Sequence, residues 1–190
     1  MSPYQRQLLD RIASALEYPG KGWKTKQQLS EGHVGCTAAE RQVNRALGDL
    51  AGYLSVKGQD KAEERYTILF DLSPVCTLNV GYHLFGDTYA RGELLAGLAG
   101  EMKKAGLTLD GEIPDFLPAL LRLLGQLPDV EDCQVLVTAV LLPGLTKMNE
   151  ALTSSKDAWS GILRALPDVL EEMVFGEAQH VEAGEASAHA

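Results

Sequence analysis

The stretch of sequence that decides the fold is residues 66–118, which read YTILFDLSPVCTLNVGYHLFGDTYARGELLAGLAGEMKKAGLTLDGEIPDFLP. It contains two dense polar motifs, FGDTYARG at residues 85–92 and EIPDFLP at residues 112–118. The leucines between the motifs recur at three- and four-residue spacing, which places them on one face of an α-helix. The stretch therefore predicts two helix junctions linked by one amphipathic helix.

The remaining segments show the same apolar spacing, and none shows sustained strand-like alternation. Thr37 followed by Glu40 forms a capping-box pattern at a helix start, whereas Pro19 and Gly20 end the first helix and Gly106 ends the fifth. Further helices are predicted at residues 60–70, 74–85, 87–105, 115–127, 129–142, 144–152 and 156–175.

These segments predict an all-α fold, a single-domain helical bundle of about eight to nine helices at residues 1–176. Pro143 is expected to separate two helices, and Pro167 is expected to break or kink the last one. Residues 177–190 have few apolar side chains to bury, so they are predicted to form a disordered acidic tail.

Composition limits the kind of partner and the location. The chain has 26 acidic and 17 basic residues and a formal charge of −9, which repels nucleic-acid phosphates and favours a basic peptide. No apolar run approaches the ~20 residues of a membrane-spanning helix, and the N-terminus lacks the pattern of a signal peptide. Cys36, Cys76 and Cys133 are odd in number and far apart, which argues against disulfides and favours the cytoplasm.

The residues able to carry chemistry do not form a recognisable site. His33 and Cys36 lie three residues apart, but no second pair at metal-ligand spacing accompanies them. Cys76 and His83 fall on one predicted helix, and together with Asp87 they leave open a helical enzyme or a metal-dependent sensor. The leading expectation is that the chain has no catalytic residue, no metal and no cofactor of its own.

Local helix geometry explains part of the two motifs. Gly86 is expected to end one helix in a left-handed conformation, and Asp87 to cap the next. Asp87 and Arg91 have the i,i+4 spacing of an ion pair on one helix. Gly92 is expected to permit close helix packing, and Pro114 to preset a helix start.

An ordered series of short motifs carries a resemblance to a known family. The series is Tyr66-x-x-x-Phe70-Asp71-Leu72, the predicted helix from Leu78 to Tyr82, Gly86-Asp87-Thr88, Arg91-Gly92, Ala105-Gly106-Leu107 and Pro114-Asp115-x-Leu117-Pro118. It resembles the NarJ family, the assembly chaperones of respiratory nitrate reductase, within the wider TorD group. The chain differs from the family pattern at Phe116, where histidine is common, and at Tyr89, where a basic residue is usual.

The resemblance implies an all-helical cytoplasmic chaperone without catalysis of its own. Such a chaperone binds the N-terminal segment, of twin-arginine type or vestigial, of a molybdenum-containing catalytic subunit. It holds the apoenzyme until the molybdenum cofactor is inserted. The chain is expected to be a monomer or a weak dimer, and a permanent structural subunit of an oxidoreductase complex is the alternative.

A helical groove for a basic, apolar peptide needs apolar anchors and carboxylates. The candidate anchors are Tyr66, Phe70, Tyr82, Phe85 and Phe116. The candidate electrostatic partners are Asp71, Asp87, Glu112 and Asp115, and Tyr89 and Arg91 complete the predicted peptide-binding set.

Overall fold

The computed structural model describes residues 1–20, 37–72, 76–109, 111–153 and 157–185, and it gives side chains as far as residue 176. Within these ranges the chain forms helices and no β-strand, apart from one isolated antiparallel bridge between Asn79 and Phe116. The all-α prediction is therefore confirmed. His33, Cys36 and the helix start predicted at Pro74 lie outside the described residues.

The helices follow one another along the chain with short connections. They are α1 Pro3–Ala15, α2 Ala38–Lys57, α3 Gln59–Tyr66, α4 Val80–Phe85, α5 Tyr89–Lys104, α6 Leu117–Gln126, α7 Val130–Leu136, α8 Leu142–Ala151 and α9 Ala158–Glu185. A π turn at Thr67–Asp71 extends α3, and a second π turn at Val137–Leu141 joins α7 to α8.

Local signals set several helix ends as predicted. The Thr37 side chain accepts a hydrogen bond from the Glu40 amide, and the Glu40 side chain accepts one from the Thr37 amide, so the predicted capping box starts α2. Helix α5 ends at Gly106 (φ +70°), where the Leu107 amide donates to the Met102 carbonyl. This is the Schellman arrangement that a glycine after a helix permits.

Two predicted helices begin later than expected among the described residues, because a long-range contact takes backbone groups at their first turns. Residues 76–79 were predicted to be helical, but the described helix begins at Val80, and the helix predicted from residue 115 begins at Leu117. The Val80 amide donates to the Asp115 carbonyl at 2.8 Å, and the Leu117 amide donates to the Leu78 carbonyl at 2.8 Å. These two hydrogen bonds flank the Asn79–Phe116 bridge, and both bridge residues have the extended backbone that delays the helix start to the following residue.

Helical backbone continues past Pro143 and Pro167. Pro143 lies in the first turn of α8, at the joint that the sequence predicted, and a π turn connects this helix to α7 without a break. In that turn the Leu142 amide donates to the Val137 carbonyl, five residues back. Pro167 lies inside α9 without ending it, and its neighbours Ala165 and Leu166 are buried in the core. The disordered tail stays a prediction, and the backbone of α9 is helical to Glu185.

The core lies where α9 packs on α2 and where α1 packs on α6. Trp159 of α9 is fully buried, and its indole N–H donates to the Ala15 carbonyl at 3.0 Å. The Tyr66 hydroxyl donates to the Leu16 carbonyl at 2.8 Å. These two bonds satisfy carbonyls at the C-terminal end of α1, where a helix otherwise leaves them unpaired. They therefore hold the C-terminal end of α1 in place, next to Glu17.

Candidate functional site

A buried ion pair joins the two sequence motifs. Asp115 of the second motif is fully buried, and its Oδ2 accepts a hydrogen bond from Arg91 Nε of the first motif at 2.8 Å. Arg91 also donates to Asp87 Oδ1 at 3.1 Å, which confirms the predicted i,i+4 pair. The guanidinium carbon of Arg91 lies 5.5 Å from the centre of the Tyr82 ring, within the range of a cation–π contact. The motifs are therefore parts of one structural unit.

The approach of α4 to this pair requires a glycine that the sequence analysis missed. A Cβ atom on Gly81 would lie 2.7 Å from Asp115 Oδ2, closer than van der Waals contact allows. Gly92, in contrast, has nothing within 4 Å of a Cβ position, so the prediction that it permits close packing is wrong. Only the tertiary structure distinguishes Gly81 from Gly92, because both glycines lie within helices.

The turn between α4 and α5 follows the prediction in part. Gly86 has a positive φ of +59° and ends α4 as predicted, in a region of backbone space that glycine occupies readily. The predicted cap by Asp87 is wrong, because Thr88 takes the N-cap position of α5 and no side chain bonds to the cap. The Asp87 carboxylate is engaged by Arg91 instead.

On the other side of the Asn79–Phe116 bridge lies a cleft with a volume of about 590 Å³. The end of α1, the π turn after α3, the segment before α4, the end of α5 and the start of α6 enclose it. The ring centres of Tyr66 and Phe70 are 4.9 Å apart, and those of Tyr66 and Tyr18 are 5.5 Å apart, both in edge-to-face geometry. Together with Phe116, these rings make much of the cleft wall aromatic.

The candidate residues divide into two groups. The cleft is lined by Tyr66, Phe70, Asp71, Glu112 and Phe116. The remaining candidates lie outside the cleft lining, in or next to α4 and α5 or at the buried pair, and are Tyr82, Phe85, Asp87, Tyr89, Arg91 and Asp115. Glu17, Tyr18 and Arg122 also line the cleft and were missed, because each looks like an ordinary polar position on or beside an amphipathic helix.

The carboxylates of the cleft act on one another. Partial desolvation raises the pKa of Glu112, and the charges of Asp71 and Glu17 raise it further. Partial desolvation likewise raises the pKa of Asp71. Burial raises the pKa of the Tyr66 hydroxyl, and the same three carboxylates add to that rise. The cleft is therefore a region of negative potential in which a further positive charge would be stabilised.

Only part of this negative charge is neutralised within the described residues. Arg122 donates to Glu17 Oε1 at 2.5 Å and to Asp10 Oδ1 at 3.1 Å, so its positive charge is shared by two carboxylates. Asp71 and Glu112 form no salt bridge in the described ranges, and both side chains are exposed to solvent in the cleft. They remain available to a cation supplied by a ligand.

The alternative site built on Cys76, His83 and Asp87 is not assembled. Cys76 precedes α4 instead of lying on it, so the prediction that it shares a helix with His83 is wrong. Burial raises the pKa of the Cys76 thiol to about 12, which keeps it protonated and a poor nucleophile. His83 Nε2 lies 2.8 Å from the Thr77 carbonyl and donates to it. No group of three or more histidine, cysteine, aspartate or glutamate side chains suited to a metal ion occurs among the described residues.

The described part of the chain is thus an all-helical protein with an acidic, aromatic cleft. Residues 37–163 match the family described as nitrate reductase delta subunit, and the chain belongs to this family. It is 30% identical over 122 residues to the nitrate reductase molybdenum cofactor assembly chaperone NarJ of Escherichia coli strain K12, covering 63% of this chain and 52% of that protein. It is 30% identical over 152 residues to the probable nitrate reductase molybdenum cofactor assembly chaperone NarW of the same strain, covering 76% and 62%.

These matches confirm the resemblance drawn from the sequence motifs. Both relatives are named as assembly chaperones, which agrees with the prediction that the chain is not an enzyme. The chain spans about half to three-fifths of the length of the curated relatives that it matches. In the part of the chain that the structure describes, no helix combines the length and hydropathy that crossing a membrane requires.

Proposed function

We propose that this chain is a cytoplasmic chaperone for the assembly of a molybdenum-containing oxidoreductase of the nitrate reductase type. It binds the N-terminal segment of the catalytic subunit, of twin-arginine type or vestigial, and holds the apoenzyme until the molybdenum cofactor is inserted. It has no catalytic activity of its own and acts as a monomer or weak dimer. Family membership supports the class of function, and the acidic, aromatic cleft is the observation that supports peptide binding.

The aromatic wall of the cleft suits the apolar side chains of a peptide. Tyr18 and the half-buried Phe116 offer ring surface in the cleft, whereas Phe70 is almost fully buried. Aromatic rings contribute large contact areas at a low entropic cost. Tyr66 closes the floor, since it is almost fully buried and bonded to the end of α1. A short amphipathic segment laid in this groove would bury its apolar side chains against these rings.

The carboxylates of the cleft suit a basic side chain next to the apolar ones. Asp71 and Glu112 have no basic partner in the described ranges, and each carries a raised pKa because the cleft is partly desolvated. An arginine or lysine of the peptide that paired with both carboxylates would offset the cost of keeping them ionised in a partly desolvated cleft. Asp87 and Asp115 are less suitable partners, because Arg91 already engages them.

The proposal predicts salt-dependent binding through the cleft carboxylates. Purified full-length protein is titrated calorimetrically with a synthetic N-terminal peptide of the nitrate reductase catalytic subunit from the same organism. The Asp71→Asn, Glu112→Gln double variant should bind about tenfold more weakly than the wild type at low salt, because two charge contacts are lost. Its affinity should also depend much less on salt concentration.

The matched control is Asp49→Asn, which removes a carboxylate exposed on α2, outside the cleft, and should bind like the wild type. If neither the peptide nor any other part of the catalytic subunit binds at low salt, the proposed function is wrong. A salt-independent affinity would remove the role given to the carboxylates. Stoichiometric retention of the chain in the mature enzyme would favour the permanent-subunit alternative.

A further inference from the structure

None of the side chains of the FGDTYARG motif at residues 85–92 lines the cleft, so the proposed function gives the motif no direct contact with the ligand. We propose that Arg91 is a positioning residue for ligand binding, which holds Phe116 in the cleft wall through the buried carboxylate of Asp115. The proposal rests on the proposed function and explains how the cleft acquires its shape.

The contacts run from Arg91 to the cleft in two steps. The Arg91 side chain is 14% exposed, and its Nε lies 2.8 Å from Oδ2 of the fully buried Asp115. Asp115 is covalently adjacent to Phe116, whose ring lines the cleft. The opposite carboxylate oxygen of Asp115 accepts a hydrogen bond from Asn79 Nδ2 at 3.3 Å. Both carboxylate oxygens are thus held, and the backbone that carries Phe116 is held with them.

The backbone bridge adds a second constraint on the same residues. The amide of Val80 and the amide of Leu117 form the two hydrogen bonds on either side of Phe116. They fix the course of the chain but leave the buried carboxylate in need of a positive partner. Within the described residues that partner is Arg91.

Direct contact between Arg91 and a ligand is not favoured by the geometry. The guanidinium is engaged by Asp115 and Asp87 and lies over the Tyr82 ring. It does not line the cleft. A positive charge would also repel a basic peptide, so contact would oppose the binding that the carboxylates favour. The influence of Arg91 on binding therefore passes through Asp115.

Removal of Arg91 leaves the Asp115 carboxylate buried without a cation. Such a group is strongly unfavourable, and the chain relieves it by moving the carboxylate toward water. Phe116 would move with it and lose its place in the aromatic wall. Asp71 lies on the π turn after α3, a separate element, so its charge contact with the ligand would persist.

The test is a double-variant cycle with the N-terminal peptide of the catalytic subunit as the probe. Arg91→Ala and Phe116→Ala should each weaken binding about tenfold, and the double variant should also be about tenfold weaker than the wild type. The affinity of all three variants should still fall with added salt, since Asp71 keeps its charge contact with the ligand. Arg45→Ala, an exposed arginine on α2, is the matched control and should bind normally.

A double variant about a hundredfold weaker than the wild type would overturn the proposal, because the two residues would then act independently. Wild-type affinity in a folded Arg91→Ala variant would also overturn it, while the proposed function would stand. A wild-type chain that does not bind the peptide would overturn both.

A further double variant is used if circular dichroism and thermal melting show that Arg91→Ala does not fold. Arg91→Gln combined with Asp115→Asn replaces the charged pair by a neutral hydrogen-bonding pair of similar shape. This variant leaves no buried charge unpaired, so its affinity should lie within about threefold of the wild type. A folded paired variant that binds as weakly as Phe116→Ala would show that the proposal is wrong.

Discussion

At the scale of single residues, a fully buried carboxylate persists only when cations and hydrogen-bond donors surround it. Asp115 meets this condition through Arg91 and Asn79, which contribute from two other segments of the chain. Sequence spacing indicated the Asp87–Arg91 pair, four residues apart on one helix, but it carries no signal for a partner 24 residues away. Asp115 was therefore predicted to be an electrostatic partner of a peptide, whereas it lies in the interior and pairs with Arg91.

Gly81 provides a test of this buried pair by protein stability. A Cβ atom at this position would press on Asp115 Oδ2, so Gly81→Ala should lower the free energy of unfolding by about 1–3 kcal/mol. Urea denaturation followed by circular dichroism measures the change. Gly92→Ala is the matched control: its position is open, and alanine in a helix should raise stability by about 0.5–1 kcal/mol. Equal stabilities for Gly81→Ala and the wild type would contradict the account of the packing.

At the scale of elements, the helices follow from local signals and their junctions do not. The capping box at Thr37 and the glycine end of α5 are properties of neighbouring residues, so the sequence predicts them. The delayed starts of α4 and α6 depend on the bridge between Asn79 and Phe116, which are distant in sequence. The π turn after α3 is equally hidden, since its residues have ordinary helical spacing.

These same unpredicted elements build the cleft. The π turn supplies Phe70 and Asp71, and the bridge supplies Asn79 and Phe116. Glu112 and Phe116 of the second motif also line the cleft, so part of its residue set was predictable from the sequence. The division of the candidates into a cleft group and an α4–α5 group required the tertiary structure, because both groups alternate along the same stretch of chain.

At the scale of the whole molecule, the chain has an excess of negative charge, −9 in total, and part of that excess is concentrated in a partly desolvated cleft. Overall charge steers a basic ligand toward the protein, while the local carboxylates hold it. Partial desolvation raises the pKa values of Asp71 and Glu112, so protons and the ligand's cation compete for the same oxygens. The net charge of the chain and the carboxylates of the cleft thus both favour a basic peptide as the ligand.

This competition predicts that affinity depends on pH. The ionised carboxylates bind the cation, so affinity should be highest near neutral pH and fall as the pH drops through the raised pKa values of Asp71 and Glu112. Calorimetric titrations between about pH 7.5 and pH 4.5 measure the effect. The Asp71→Asn, Glu112→Gln variant should show a much flatter profile. Affinity that rises on acidification in the wild type alone would be inconsistent with this assignment.

The location of the bound peptide is the central claim, and photo-crosslinking tests it most directly. A peptide of the catalytic subunit's N-terminus, carrying a benzophenone at an apolar position, is bound to the full-length chain, irradiated and mapped by mass spectrometry. The account predicts crosslinks to the accessible aromatic residues of the cleft wall, at Tyr18 or Phe116. Crosslinks confined to the exposed aromatic residues Tyr82, Phe85 and Tyr89 near the α4–α5 turn would contradict it.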